Sequence, residues 1–101
     1  MPDVQDRLIA IIRKLCGRRP TITLDTRVNF DLTIEGDDAS DLLDEIHREF
    51  GTSFQGMDER KFFKDEGFEI QLRFWRMGKL PLTVRHLLQV VEKGVWFEPV
   101  E

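Results

Sequence analysis

Apolar residues recur along this chain with two different periods, and the periods mark out its elements. Val4, Leu8, Ile11, Ile12 and Leu15 fall at helical spacing and predict a first helix over 3–16. Asp3 is placed to cap its start and Gly17 its end. A second stripe, Ala39, Leu42, Leu43, Ile46 and Phe50, predicts a helix over 38–50, capped by Asp37 or Asp38 and ended by Gly51. A third, Val84, Leu87, Leu88 and Val91, predicts a last helix from the cap Thr83 to Lys93, with Gly94 behind it. Between 66 and 80 the period changes. Ile70, Leu72 and Phe74 alternate with Gln71, Arg73 and Trp75, which predicts an extended, strand-like insertion punctuated by Gly78 and Pro81.

The pieces between these elements are also informative. Residues 18–37 are a long connection in which Thr21 to Leu24 alternate as a short extended piece would. Val28, Phe30 and Leu32 then read as loop residues that reach into the core. A connection of this length without secondary structure is usually functional or tightly packed. Phe62 and Phe63 mark a short helical turn over 58–64. Val95-Trp96-Phe97 is an apolar tail that must pack back on the body, since exposed it would invite association. At 101 residues, without internal repeat or low-complexity segment, the chain is expected to be one domain, 1–101, around one core. The fold class this predicts is mainly α.

Charge changes the picture. The net charge is -4, but the signs are segregated. Residues 1–30 carry six basic side chains against three acids, and residues 31–49 carry eight acids against Arg48 alone. Residues 50–101 hold eight of each sign, so the acidity sits in one central stretch. A nucleic-acid surface needs a dominant positive field and is disfavoured. Arg13, Lys14, Arg18 and Arg19 read as the cationic end of the first helix. No apolar run approaches the roughly 18 residues of a membrane span. Asp3 and Asp6 stand ahead of the apolar residues from Leu8 onward, unlike a secretory leader. Cys16 is the single cysteine, so no internal disulfide framework exists, and a cytoplasmic location is the economical expectation.

Candidate chemistry is sparse. His47 and His86 lack zinc spacing and are expected at the surface or between helices. Asp37 and Asp38 with Glu35 offer at most a weak cation contact, since no loop supplies the six to eight oxygens of a calcium site. No nucleophile elbow, phosphate-binding glycine loop or metallohydrolase motif is present. The expectation is a protein that is not an enzyme and carries no cofactor or metal. Phe74, Trp75, Trp96 and Phe97 read as packing of the insertion and tail rather than as a binding groove.

One phrase carries a resemblance. Asp31-Leu32-Thr33-Ile34-Glu35-Gly36-Asp37-Asp38-Ala39-Ser40-Asp41-Leu42-Leu43, running on to Arg48-Glu49-Phe50, resembles the acyl carrier protein family. The corresponding carrier phrase is Asp-Leu-Gly-x-Asp-Ser-Leu-Asp-x-x-Glu-Leu, and it aligns without gaps. Leu32 falls on the leucine, Glu35 on the aspartate, Gly36 on the serine and Asp37 on the leucine after it. Val28-Asn29-Phe30 and Leu82-Thr83-Val84 are similar to the carrier loop and to the start of its last helix. The chain also resembles a bacterial family of short cytoplasmic, carrier-like proteins of unknown function. The pieces that carry this are Gly36-Asp37-Asp38-Ala39, Leu82-Thr83 with Leu87, and Gly94-Val95-Trp96.

The resemblance implies an acyl-carrier-like helical bundle with a long first loop and an extended insertion before the last helix. It also implies a departure. The carrier serine takes up the phosphopantetheine arm, and Gly36 has no side chain to do so. The expectation is therefore a non-carrying interaction module. It would dock a basic protein surface, such as an enzyme that normally meets acyl carriers, through Glu35, Asp37, Asp38, Asp41, Asp44 and Glu45. Two alternatives stand beside it: a carrier modified at Ser40, and a small acidic immunity or antitoxin-like inhibitor of a basic partner. Cys16 reads as a small buried hydrophobe rather than a thiol carrier.

Overall fold

The computed structural model describes residues 3–16, 21–34, 36–59, 62–63 and 80–99. The first helix, α1, spans Val4–Cys16, and Asp3 Oδ1 accepts the Asp6 amide at 2.8 Å. That bond satisfies one of the N–H groups that a helix start leaves unpaired. The second helix, α2, spans Asp37–Phe50 and ends on Gly51, whose amide donates to the His47 carbonyl. The third, α3, spans Val84–Lys93, with Thr83 Oγ1 accepting the His86 amide at 3.1 Å. Gly94 follows it, as its position in the sequence predicts. No described helix is long and apolar enough to cross a membrane.

α2 departs from expectation at its start. Its N-cap is Gly36, not Asp37 or Asp38, and no side chain caps it. Both aspartates already lie in the first turn, where their charges complement the positive end of the helix dipole. An acid can favour a helix start through its charge without adopting the cap's own backbone conformation.

The core is built from all three helices and from the loop before α2. Leu8 and Ile12 of α1, Leu42 and Ile46 of α2, and Val84 and Leu87 of α3 are fully buried, together with Val28 and Phe62. α1 and α2 run antiparallel. Arg7 pairs with Glu49, and Lys14 pairs with Glu45 at 2.7 Å, so rising numbers on one helix meet falling numbers on the other. The Arg7 guanidinium also lies over the Phe50 ring, 4.9 Å from its centre. These pairs are at or near the surface and set orientation more than stability.

The long connection makes no sheet. Among the described residues there are only isolated bridges, Arg27 with Thr83 and Ser53 with Val95. Its backbone groups go instead to the segment that opens α3. Val28 donates to the Leu82 carbonyl at 2.8 Å, Val84 to the Thr26 carbonyl at 2.9 Å, and Arg85 to the Leu24 carbonyl at 2.8 Å. With the Thr83 cap on His86, the first three amides of α3 are all satisfied. The extended piece expected at Thr21 to Leu24 is thus no strand, because its partner is a helix start and not another strand.

Asn29 sits at the centre of this arrangement. It is fully buried. Its Nδ2 donates to the carbonyls of Phe62 and Leu80, at 2.7 Å each, and its Oδ1 accepts the Leu82 amide at 3.1 Å. One side chain therefore ties the loop, the turn at Phe62 and the entry to α3 together. At that turn the amides of Phe62 and Phe63 both donate to the Glu59 carbonyl, within the stretch where a short helical turn is expected. Thr33, just before α2, holds a φ of 53, a conformation that β-branched residues rarely adopt.

Two expectations need adjustment, and one falls outside the described residues. The buried side of α3 includes His86 and Val90 as well as Val84 and Leu87, while Leu88 and Val91 are partly buried. At His86 the cause is the tail, which covers that side. Trp96 meets His86 edge-on at 5.2 Å and Phe62 at 5.4 Å. His86, expected at the surface or between helices, is accordingly buried, 7% exposed, between α3 and the tail. The strand-like insertion expected over 66–80 lies outside the described residues except for Leu80, as do Gly17, Phe74 and Trp75.

The faces of α2 give a direct check. Leu42 is fully buried and Asp41 exposed. In a urea melt Leu42→Ala should lower stability by about 2–5 kcal/mol, and Asp41→Ala by no more than about 0.5 kcal/mol. Equal losses would mean that the helix presents a different side to the core.

Candidate functional site

The acidic stretch folds into α2, and helical geometry sorts its charges onto different sides. Asp37, Asp41 and Asp44 follow one another at spacings of four and three, on the side opposite Ala39, Leu42 and Ile46. All three are exposed, and none enters an ion pair among the described residues. Arg48 continues the same row, four residues after Asp44, and is the one cation in it. Asp38, also exposed, lies toward the flank that carries Glu45 and Glu49.

That flank is used by the protein itself. Glu45 is half-buried, with its side chain 26% exposed, and bonded to Lys14. Glu49 holds Arg7. The structure therefore does not bring all the candidate acids into one uncommitted patch. Asp37, Asp38, Asp41 and Asp44 face solvent, and Glu45 is engaged with α1. Glu35 lies outside the described residues.

The helix start is set by its backbone. Gly36 has φ 60 and ψ -131, a combination that an L-residue with a side chain adopts only under strain. Its carbonyl accepts the amides of Ala39 at 3.1 Å and Ser40 at 3.2 Å, which launches the helix. Position 36 thus offers neither a hydroxyl nor the backbone of a serine-type cap.

The other flank of α2 borders a groove. Ser40, Leu43, Asp44 and His47 line it from the helix, and Phe54, Gln55 and Glu59 from the segment that follows; its volume is about 370 Å³. His47 Nδ1 donates to the Thr52 carbonyl at 2.8 Å, which fixes the path of the chain after Gly51. The groove is absent from the sequence reading. The signal for its helix side is present, since residues 40, 43, 44 and 47 follow helical spacing, but its opposite wall is set by a turn that no period announces. Ser40 is exposed at the groove edge.

The remaining candidates fall elsewhere. Cys16 is half-buried at the end of α1, with Sγ 3.4 Å from the Arg13 carbonyl. His86 is under the tail, where burial pushes its pKa below the usual imidazole value against the opposing effects of the Phe97 carbonyl and Glu98. Among the described residues no group of three or more histidine, cysteine or acidic side chains is arranged to hold a metal ion.

Comparison with known proteins bears on the whole chain. Neither the curated proteins nor the solved structures contain a match to it. A family model does match, over residues 1–98. The chain belongs to the family described as Protein of unknown function (DUF1493).

Proposed function

We propose that this protein is a non-carrying, carrier-like interaction module that docks a basic protein surface through the exposed acids of α2, and that it is not an enzyme. The observation that carries the reading is Gly36. It stands where the carrier phrase has its serine, it has no oxygen to bear a phosphopantetheine arm, and its φ of 60 suits glycine. Thr33 lends support from the other side of the junction. In the gapless alignment it falls on the carrier glycine, and its φ of 53 is one that glycine adopts readily. Both positive-φ positions, 33 and 36, fall within the phrase that carries the resemblance, and neither supplies the serine of an attachment point.

Electrostatics supply the docking part. Asp37, Asp41 and Asp44 form an exposed row without internal cations other than Arg48, and Asp38 adds to it. Such a face speeds and selects encounters with a positive partner more than it adds raw affinity. The partner in this reading is a cytoplasmic protein with a basic surface, such as an enzyme that meets acyl carriers.

Salt and charge reversal test the face. Binding of a partner captured from the native cytosol should weaken as salt rises, mainly through slower association. Asp41→Lys with Asp44→Lys should do the same without unfolding the domain. Glu45→Lys is a poorer probe, since it also breaks the pair with Lys14. A partner whose association rate ignores both salt and the double reversal would contradict the docking role.

Modification tests the non-carrying part. Intact-mass measurement after co-expression with a broad-specificity phosphopantetheinyl transferase should show no added arm. Gly36→Ser should be modified poorly and should lower stability by about 1–2 kcal/mol, from the strain of a side chain at positive φ. Adding Asp37→Leu should improve modification, because a charge then no longer meets an apolar pocket. Efficient labelling of the unmutated protein would overturn the reading, and a labelled peptide containing Ser40 would make it a carrier through that residue.

A further inference from the structure

A second cleft lies between the start of α3 and the tail that follows it, apart from the α2 face. Its volume is about 470 Å³, within the range of small-molecule sites. Leu80, Pro81, Phe97 and Pro99 supply an apolar lining, and Arg85, His86 and Gln89 bring polar groups from α3. Apolar walls with a few convergent polar groups are the usual make-up of a ligand site.

The cleft is held in shape by bonds on both sides. His86 Nε2 donates to the Phe97 carbonyl at 2.8 Å, and its ring meets the Phe97 ring edge-on at 4.7 Å. Upstream, the Trp96 amide donates to the Ser53 carbonyl at 2.7 Å, and the Ser53 amide to the Gly94 carbonyl at 3.0 Å. The tail cannot shift without breaking these contacts. Burial pushes the His86 pKa below the usual imidazole value, and Arg85 is the lining residue that brings a guanidinium.

Arg85 has donors to spare. One nitrogen, Nη2, bonds Asp25 Oδ1 at 3.0 Å. The Asp25 side chain is 83% exposed, so this pair is well solvated and weak. A guanidinium offers five N–H donors in a fork that fits a carboxylate. An anion held partly out of water by the apolar walls would compete well with so exposed a partner.

We propose that this cleft binds a small carboxylate with a compact apolar body, its body against Leu80, Pro81, Phe97 and Pro99 and its carboxylate on the Arg85 guanidinium. The site is separate from the α2 face and does not rest on the docking reading. Benzoate is the probe, with benzamide as its neutral counterpart, each titrated into the isotope-labelled full chain and followed by amide chemical shifts. Benzoate should give saturable shifts at Thr83, Gln89 and Phe97, with benzamide about tenfold weaker, the factor expected for losing a charge-assisted hydrogen bond. Arg85→Gln should reduce benzoate to the benzamide level. Asp25→Asn should tighten benzoate, because it removes the competing carboxylate from Arg85. Shifts that fail to saturate or centre elsewhere would overturn the site. Equal binding of the two probes, or indifference to both substitutions, would overturn its preference for an anion.

Discussion

A buried amide side chain must find hydrogen bonds inside the protein, and Asn29 finds three. The rest of the described structure follows from where they go. The bonds to Phe62, Leu80 and Leu82 join three stretches that are far apart in the chain, and each stretch then packs apolar side chains around the junction. Phe62 and Leu82 are fully buried beside Val28 and Leu87. An unsatisfied amide in this position would cost about 1–3 kcal/mol, so the partners and the side chain define one another. The same clasp lets a loop with no strand of its own stay ordered, since its neighbours Val28, Thr26 and Leu24 bond the entry and first turn of α3. It also fixes the approach to α2. Ile34, buried and bonded through its amide to the Val28 carbonyl, brings the chain to Gly36.

What the junction positions is a helix whose charges are divided by use. The flank toward α1 spends Glu45 and Glu49 on Lys14 and Arg7. The outer row of Asp37, Asp41 and Asp44 has no such internal partners among the described residues. Repulsion between these carboxylates is partly relieved by Arg48 and by the positive end of the helix dipole near Asp37. Such a row of exposed acids adds little to stability, and it is the feature on which the docking proposal rests.

How much of this could be read from the sequence depends on the range of the interaction involved. Helices were legible because their causes are local. The Asp3 and Thr83 caps, Gly51 as a terminator and the apolar stripes of α1 and α2 all lie within a few residues of what they control. The cap of α2 was not legible, because Asp37 and Asp38 favour a helix start by charge while the backbone turn itself belongs to Gly36. Burial of His86 and Val90 was also hidden. For His86 it depends on where Trp96 and Phe97 fold back, and the helical period of α3 alone points to Leu88 and Val91. Asn29 was visible only as part of a loop phrase, for nothing local marks it as the residue that holds Phe62 and Leu80. For the candidate site, the exposure of Asp41 and Asp44 follows from spacing, but the engagement of Glu45 with Lys14 needed the antiparallel packing of two helices.

Amide hydrogen exchange tests the role of Asn29 most directly. The amides of Val28, Val84 and Arg85 bond across the junction, and that of Ile46 lies within α2. In the unaltered protein all four should exchange only through global unfolding, with similar free energies of opening. In Asn29→Ala, the three junction amides should open at distinctly lower free energy than Ile46, because the junction can then separate while the helix remains. Junction amides that keep pace with Ile46 in the variant would contradict the account, and would show that apolar packing holds this junction without the amide.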